Sequence, residues 1–251
     1  MDFQKNIFEK IKISNPWYVD DQRTAAISKG QKLVVSNRIS WLLNKLRLLC
    51  HSRVRILDAG CGDGVLLSHL VKIENAEVYG IDYNPVRIKR ARQNNSGATL
   101  IVSELARLDF SDNYFNAIIL NQVLEHIPED TMVLKELYRV IKPDGILILG
   151  VPNEGCLLAQ VRNKYIQPEI SRTTDHIHFY TEKEILKKLK SNNFDIEDIW
   201  RQSFFIPHLL LGGILARFKI GYGILQFLGD LFKSQCGSLY FVCKKVSKCA
   251  E

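Results

Sequence analysis

The sequence predicts an α/β protein with a doubly wound, mostly parallel sheet and helices on both faces. A short apolar run at 54–57 leads into Asp58 and then into glycines at every second position, Gly60, Gly62 and Gly64. Short apolar segments then alternate with helical ones as far as residue 151, which requires right-handed crossovers between parallel strands. Two further strand-like segments near the end bring the expected sheet to seven strands.

Size and composition fit one such domain with additions. The chain has 251 residues, 46% hydrophobic and 24% charged, and can bury a large core. Its formal net charge of +7 either favours an anionic partner or reflects only a solvated basic surface. The first ten residues carry charges where a signal peptide is apolar, and the six cysteines have no paired spacing. We therefore expect a cytoplasmic protein with reduced thiols and no bound metal.

Residues 1–50 are predicted to form a helical preface or lid. Apolar residues at helical spacing precede a break at Asn15-Pro16. Trp17 and Tyr18 beside that break are either lid aromatics over a ligand or packing residues. An apolar stripe predicts a further helix over 31–50, which leads into the first strand.

The core, 51–203, is predicted from turn and cap signals. The glycines at 60–64 let the backbone approach a ligand that faces a helix over 65–71, although a plain glycine-rich turn is the alternative. A second strand over 77–82 ends in Asp82, and Asn84-Pro85 begins a helix. Strands follow over 98–102, 116–120 and 146–151, and a helix from about Glu129 is stopped by 143–145 (PDG).

The last hundred residues depart from simple alternation. Residues 152–180 look irregular, and a capping box at 181–184 (TEKE) opens a helix to about Ser191. Strands are predicted over 194–200 and 238–243. An apolar helical insertion over 204–237 separates them, and the last strand and tail occupy 238–251.

Acidic residues close three successive predicted strands, namely Asp58, Asp82 and Glu104. Ligands of open parallel sheets bind at the carboxyl ends of the strands, where an acid can accept hydrogen bonds from ribose hydroxyls. A dinucleotide and an adenosine compound both fit this pattern. The adenosine compound is favoured because Val65 replaces the third dinucleotide glycine, an acid precedes the glycines, and the chain ends in a strand pair.

Five ordered motifs together resemble the class I, Rossmann-like S-adenosylmethionine-dependent methyltransferases. They are 58–64 (DAGCGDG), 81–82 (ID), 103–116 (SELARLDFSDNYFN), 124–128 (LEHIP) and 137–145 (LYRVIKPDG). The match is strong over 56–153 and looser as far as 246. It implies S-adenosylmethionine as cofactor, S-adenosylhomocysteine as product, and an antiparallel last strand.

The resemblance also implies roles for individual residues. Asp58 and the glycines face the methionine end of the cofactor, Asp82 binds both ribose hydroxyls, and Tyr83 packs on adenine. Glu104, where the family usually has Asp, reads the adenine edge together with the Leu105 backbone. The remaining predicted cofactor residues are Cys61 and Asn121.

Three histidines are the predicted catalytic residues. His126 follows the fourth strand and can serve as a base for an alcohol or phenol, or can simply pack there. His176 and His178 alternate, so on an extended segment they point the same way. They are a second base, a metal pair, or a structural junction. The segment 175–180 (DHIHFY) resembles one in small-molecule and ubiquinone-type O-methyltransferases.

Motifs of nucleic-acid methyltransferases are absent, which favours a small-molecule acceptor. The fourth strand is followed by 121–124 (NQVL) instead of the Asn/Asp-Pro-Pro-aromatic tetrad of base-methylating enzymes, and Cys156 lacks a preceding proline. The apolar stretch 204–232 is predicted to be a lid or a membrane-facing pair of helices, with closed core as the alternative. It favours a hydrophobic or lipid-linked acceptor.

Three alternative functions stay open at this point. They are a nicotinamide-dependent oxidoreductase, a module that binds the adenosyl ligand without turnover, and a methyltransferase that acts on RNA or protein.

Overall fold

The computed structural model describes residues 32–47 and 52–246. The predictions for residues 1–31, which include Trp17 and Tyr18, and for residues 48–51 and 247–251 lie outside the described residues. Within them, the predicted doubly wound sheet is confirmed.

The sheet has seven strands in the order β3-β2-β1-β4-β5-β7-β6. Their bounds are β1 (Val54–Ala59), β2 (Ala76–Asp82), β3 (Ala98–Val102), β4 (Phe115–Asn121), β5 (Ile141–Pro152), β6 (Phe194–Phe204) and β7 (Cys236–Lys245). The last strand, β7, is antiparallel to both of its neighbours, and the other pairs in the sheet are parallel. The strand order reverses between β1 and β4, which is where such sheets bind ligands.

Helices cover both faces of the sheet. They are α1 (Lys32–Arg47), α2 (Leu67–Leu70), α3 (Pro85–Asn94), α4 (Asp130–Val140), α5 (Leu157–Val161), α6 (Pro168–Thr173), α7 (Glu182–Ser191), α8 (Leu209–Arg217) and α9 (Lys219–Leu231). One core lies under α4 and α7, and a second lies under α1, α2 and α3. Neighbouring residues of β1 point into different cores, Leu57 into the first and Ile56 into the second.

Three predicted boundaries were wrong. Helix α4 ends at Val140 and β5 begins at Ile141, so Pro143-Asp144-Gly145 does not stop the helix but lies inside the strand. A shift in strand register accommodates these three residues, since Phe115 of β4 pairs with Ile141 and Ala117 then pairs with Ile146. The helix expected over 65–71 is the four-residue α2, and the segment expected to be irregular over 152–180 contains α5, α6 and a π-helical turn at Arg162–Ile166.

The apolar insertion is a pair of helices, α8 and α9, bent by 118° at Phe218. Gln226 holds α9 against β6, since its side chain donates to the Arg201 carbonyl and accepts from the Ser203 amide. No single described helix is long and apolar enough to cross a membrane, whereas this bent pair meets that criterion by length and composition. The closed-core alternative was wrong for much of the insertion, because many of its large apolar side chains are exposed.

Candidate functional site

The glycine loop after β1 adopts a backbone that other residues rarely take. Gly60, Gly62 and Gly64 have φ values of 78°, 54° and 80°. A Cβ added at Gly60 meets the side chain of Val123 at 2.4 Å, so the loop packs directly against the segment that follows β4. The loop therefore presents glycine backbone without side chains between the ends of β1 and β4, where a ligand can bind close to it.

Asp82 ties this loop to the end of β2. Its Oδ2 accepts a hydrogen bond from the Gly62 amide at 2.9 Å, and its Oδ1 accepts from the Asn84 amide at 2.8 Å. Asn84 in turn caps α3 by accepting from the Val86 amide at 2.9 Å, as predicted. Each carboxylate oxygen has two lone-pair sites, so Asp82 keeps the capacity to accept from two ribose hydroxyls.

Asp58 is a buried carboxylate with an unused oxygen. Its side chain is 3% exposed, and Oδ2 has no hydrogen-bond partner among the described residues. Burial and then the nearby charge of Asp82 raise the pKa of Asp58 to about 7. A buried, unpartnered carboxylate is costly in the free protein, and its unused oxygen can accept a hydrogen bond from the cationic end of an adenosyl amino acid.

The other predicted cofactor residues lie along the carboxyl ends of β1 to β4. Cys61 is buried, which raises the pKa of its thiol well above the usual range and keeps it uncharged. Tyr83 is half-buried, Glu104 is exposed and Leu105 is buried. Asn121 accepts from the Tyr240 hydroxyl at 3.4 Å. Their contacts with a cofactor stay predictions.

Two of the three predicted catalytic histidines lie together. The ring centroids of His126 and His176 are 4.7 Å apart. His178 faces other partners, since its Nε2 lies 3.0 Å from the Ile127 carbonyl and its ring stacks on Tyr180. The backbone amides at 177 and 178 donate to the Glu125 carbonyl, which brings the histidine segment beside the end of β4.

A carboxylate lies against Nδ1 of each of these two imidazoles. His126 Nδ1 is 3.3 Å from Asp175 Oδ1, and His176 Nδ1 is 2.6 Å from Glu154 Oε2. Burial alone lowers the pKa of His176, but the bond to Glu154 outweighs it and raises the pKa above its usual range. Burial opposes ionisation of Asp175 and Glu154, yet the histidine contacts hold the pKa of each carboxyl below its usual range.

Glu125 lies next to both imidazoles, with ligand atoms of the three side chains within 4.8 Å of one another. It is 1% exposed, its Oε2 has no hydrogen-bond partner among the described residues, and burial raises its pKa. Its Oε1 is 3.9 Å from His126 Nε2. Glu125, His126, His176, Glu154 and Asp175 are referred to below as the imidazole cluster.

Sequence reasoning did not select the three carboxylates of the imidazole cluster. Asp175 was visible only as a neighbour of His176, and Glu154 as a residue two positions beyond β5. Adjacency to a strand end or to a candidate histidine was the available signal. Which side chain pairs with which ring depends on contacts between three separate segments.

A cavity of about 520 Å³ opens beside the imidazole cluster. It is lined by Glu154, Gly155, Gln160, Asn163, Lys164, Ser171 and Phe179. Glu154 lines the cavity and also belongs to the imidazole cluster, so the cavity adjoins the histidine pair at this residue. Its volume is in the range of small-molecule sites.

Fold and site together define an α/β enzyme with a nucleoside-type cofactor site at the switch point and a carboxylate–imidazole cluster next to it. A family model described as a methyltransferase domain matches residues 35–199. The chain belongs to this family and is a class I, S-adenosylmethionine-dependent methyltransferase, as the motifs of the sequence predicted. The nicotinamide-dependent alternative is thereby excluded.

Individual relatives and structures agree with this assignment. The chain is 27% identical over 206 residues to a ubiquinone biosynthesis O-methyltransferase of Rickettsia bellii, covering 78% of this chain and 83% of the relative. It is similar in fold to a TehB-like S-adenosylmethionine-dependent methyltransferase of Corynebacterium glutamicum, with a TM-score of 0.54, 17% identity and coverage of 96% and 97%.

The fold also carries other named activities. The chain matches the [4+2]-cyclase SpnF with a TM-score of 0.55 and 19% identity, over 78% of this chain and 77% of that one. Fold likeness alone therefore does not define the acceptor chemistry, which has to be argued from the site.

Proposed function

We propose that this methyltransferase transfers the methyl group to an oxygen of a small, hydrophobic or lipid-linked acceptor. The observation that carries the proposal is the position of His126. It lies one helical turn beyond Val123, the residue packed against Gly60 of the cofactor loop, and has Asp175 at 3.3 Å from Nδ1. A histidine with a carboxylate next to its Nδ1 thus lies beside the predicted methyl-donor site. The relative from Rickettsia bellii, named as an O-methyltransferase, supports the same chemistry.

The bound cofactor supplies a methyl group on a positively charged sulfur. The acceptor hydroxyl gives its proton to Nε2 of His126 as the oxygen attacks the methyl carbon, and Asp175 stabilises the imidazolium that forms. An O–C bond forms while the C–S bond breaks, leaving a methyl ether and S-adenosylhomocysteine. The protein's main contribution is alignment of the two reactants and exclusion of water.

The acceptor is proposed to enter through the cavity beside Glu154. That cavity meets the imidazole cluster at Glu154, which follows β5. The predicted cofactor residues Asp58 and Asp82 lie on β1 and β2, on the other side of β4 in the sheet. A small molecule held there is close to His176 and, through it, to His126.

The exposed side chains of α8 and α9 support a hydrophobic source for the acceptor. We call this surface the apolar patch: Leu209, Leu210, Leu211, Ile214, Leu215, Phe218, Ile220, Ile224, Phe227, Leu231 and Phe232, all exposed. Many exposed apolar side chains on two helices that contact each other are typical of an interaction site in a folded protein. The exposed bases Arg217, Lys219 and Lys233 adjoin the patch. We propose a cytoplasmic enzyme that contacts an anionic membrane surface through it.

Mass spectrometry of cell extracts tests the reaction. The purified enzyme is incubated with extract and a deuterated methyl donor, and labelled products are sought. A labelled methyl ether of a hydrophobic small molecule is the expected result. Label on RNA, on protein, or on nitrogen or carbon of the product contradicts the proposal and identifies the true acceptor class.

A further inference from the structure

The imidazole cluster has the composition of a metal site, although no metal was expected from the sequence. Single ligand atoms of Glu125, His126 and His176 all lie within 4.8 Å of one another. One carboxylate and two imidazoles are a common donor set for divalent transition metals. We propose that these three residues bind a divalent transition metal of the zinc type.

Carboxylates lie beside both histidines, and Glu154 holds the ring of His176 by a hydrogen bond. His176 Nδ1 is hydrogen-bonded to Glu154 at 2.6 Å, whereas His126 Nδ1 lies 3.3 Å from Asp175 without a hydrogen bond among the described residues. A neutral imidazole whose Nδ1–H is held by a carboxylate presents the lone pair of Nε2. Metal-binding histidines are characteristically held in this way. The Nε2 of His126 is directed towards Glu125, 3.9 Å from its Oε1.

Charge and hydrogen bonding in the imidazole cluster favour the binding of a cation. Within residues 32–47 and 52–246, Glu154 is the one carboxylate of the imidazole cluster that forms an ion pair with a guanidinium, that of Arg162 at 3.0 Å. Glu125 is 1% exposed and its Oε2 has no hydrogen-bond partner among these residues. A buried carboxylate without a partner is costly, and a metal ion supplies what it lacks.

Three protein ligands leave an open position on a tetrahedral ion, as in catalytic zinc sites. An acceptor hydroxyl bound there would be acidified by the metal and would release its proton to a solvent water before the oxygen attacks the methyl carbon. This part of the inference rests on the proposed function, and it revises one role, since metal-bound His126 no longer accepts the proton. Binding of the ion itself depends on the imidazole cluster alone.

The experiment is calorimetric titration of the metal-free full-length protein with Zn²⁺, in the absence of cofactor and acceptor. One ion per chain is expected. Glu154→Gln removes an orienting carboxylate and is expected to weaken binding by about 10- to 100-fold. Glu125→Gln and His176→Asn remove ligands and are expected to weaken it further. His69→Asn on α2 is the matched control and leaves the affinity unchanged.

Several outcomes overturn the site. They are no saturable binding by the wild type, unchanged affinity in both ligand variants, a loss in the His69→Asn control equal to that in the ligand variants, or equal competition by Mg²⁺, which prefers oxygen ligands. S-adenosylhomocysteine is titrated into the same variants and binds as in the wild type if they are folded. Failure of methyl transfer to oxygen leaves the Zn²⁺ result standing, so the two proposals fail separately.

Discussion

The two halves of the sheet are built by different means. On the β1–β3 side, the site consists of residues close together in sequence, where a strand, its acid and a turn follow one another, as in Asp58 and the glycine loop. On the β4–β6 side, the imidazole cluster collects Glu125, Glu154 and His176 from three segments. The predicted cofactor residues lie mainly in the first half, and the imidazole cluster lies in the second. Substitutions should therefore separate cofactor binding from turnover.

The largest effect is expected from the imidazole cluster. Replacing His126→Ala removes an imidazole that serves either as the proposed base or as a proposed metal ligand, and should lower kcat by about 10²- to 10⁴-fold. Because the cofactor half is untouched, affinity for S-adenosylhomocysteine should stay at the wild-type value. Steady-state kinetics and calorimetry measure the two. The surface variant His69→Ala should retain both, and undiminished turnover of His126→Ala removes this residue from the mechanism.

Next in size is the converse variant, Asp82→Ala. It breaks charged hydrogen bonds to the Gly62 and Asn84 amides and removes the predicted ribose acceptor. A hydrogen bond from a ribose hydroxyl to this carboxylate contributes about 1.5–3 kcal/mol, and two are predicted. Affinity for S-adenosylhomocysteine should therefore fall by about 100-fold or more. The exposed Asp144→Ala is the control. If Asp82→Ala binds like the control in calorimetry, the ribose assignment is wrong.

A smaller effect tests the apolar patch. Neutralising Arg217 and Lys219 with glutamine removes two charges beside it, each contributing about 1 kcal/mol near an anionic surface, so vesicle binding should weaken by about 30-fold. Sedimentation with phosphatidylserine-containing vesicles measures this. The double variant Lys187→Gln, Lys190→Gln loses the same charge from α7. Equal loss in both variants, or no binding by the wild type, contradicts membrane contact through the patch.

The smallest effect concerns pH in the cofactor half. With a pKa of about 7, Asp58 is largely protonated at pH 6 and ionised at pH 8. If it faces the cationic end of the cofactor, affinity for S-adenosylhomocysteine should rise by about tenfold over that range and then level off. Asp58→Asn should show a flatter dependence. A wild-type profile as flat as that of the variant contradicts the assignment.

The ionisation of Asp58 that should strengthen cofactor binding should also lower the stability of the folded protein. The pKa of Asp58 in the folded protein, about 7, exceeds its ordinary value of 3.8. The folded state therefore binds more protons in that window, and the free energy of unfolding falls as pH rises from 4 to 7, by an amount on the order of 4 kcal/mol. Denaturant unfolding should show that Asp58→Asn gains more over the wild type at pH 8 than at pH 5. An equal gain at both pH values shows that burial does not perturb Asp58.

The sequence correctly predicted several features that depend on interactions between neighbouring residues. The cap at Asn84, the capping box at Thr181 and Glu184, and the bounds of β3 all agree with the structure. Each depends on a few consecutive residues. The start of β5 was placed five residues late, because Pro143 and Gly145 read as a helix stop, whereas pairing with β4 draws Ile141 into the sheet. A strand pairing between distant segments outweighed a turn signal that is sound in isolation.

The sequence by itself determined the fold class, the cofactor family and the residues of the glycine loop, since these depend on periodicity, turns and strand ends that a short window contains. Tertiary structure alone decided that His126 and His176 lie beside Glu125, that Glu154 is hydrogen-bonded to Nδ1 of His176, and that His178 turns to the Ile127 carbonyl. The physical reason is that these contacts are made across the sheet edge by segments far apart in the chain. Their pairing is set by packing and burial, which leave no periodic trace in the sequence.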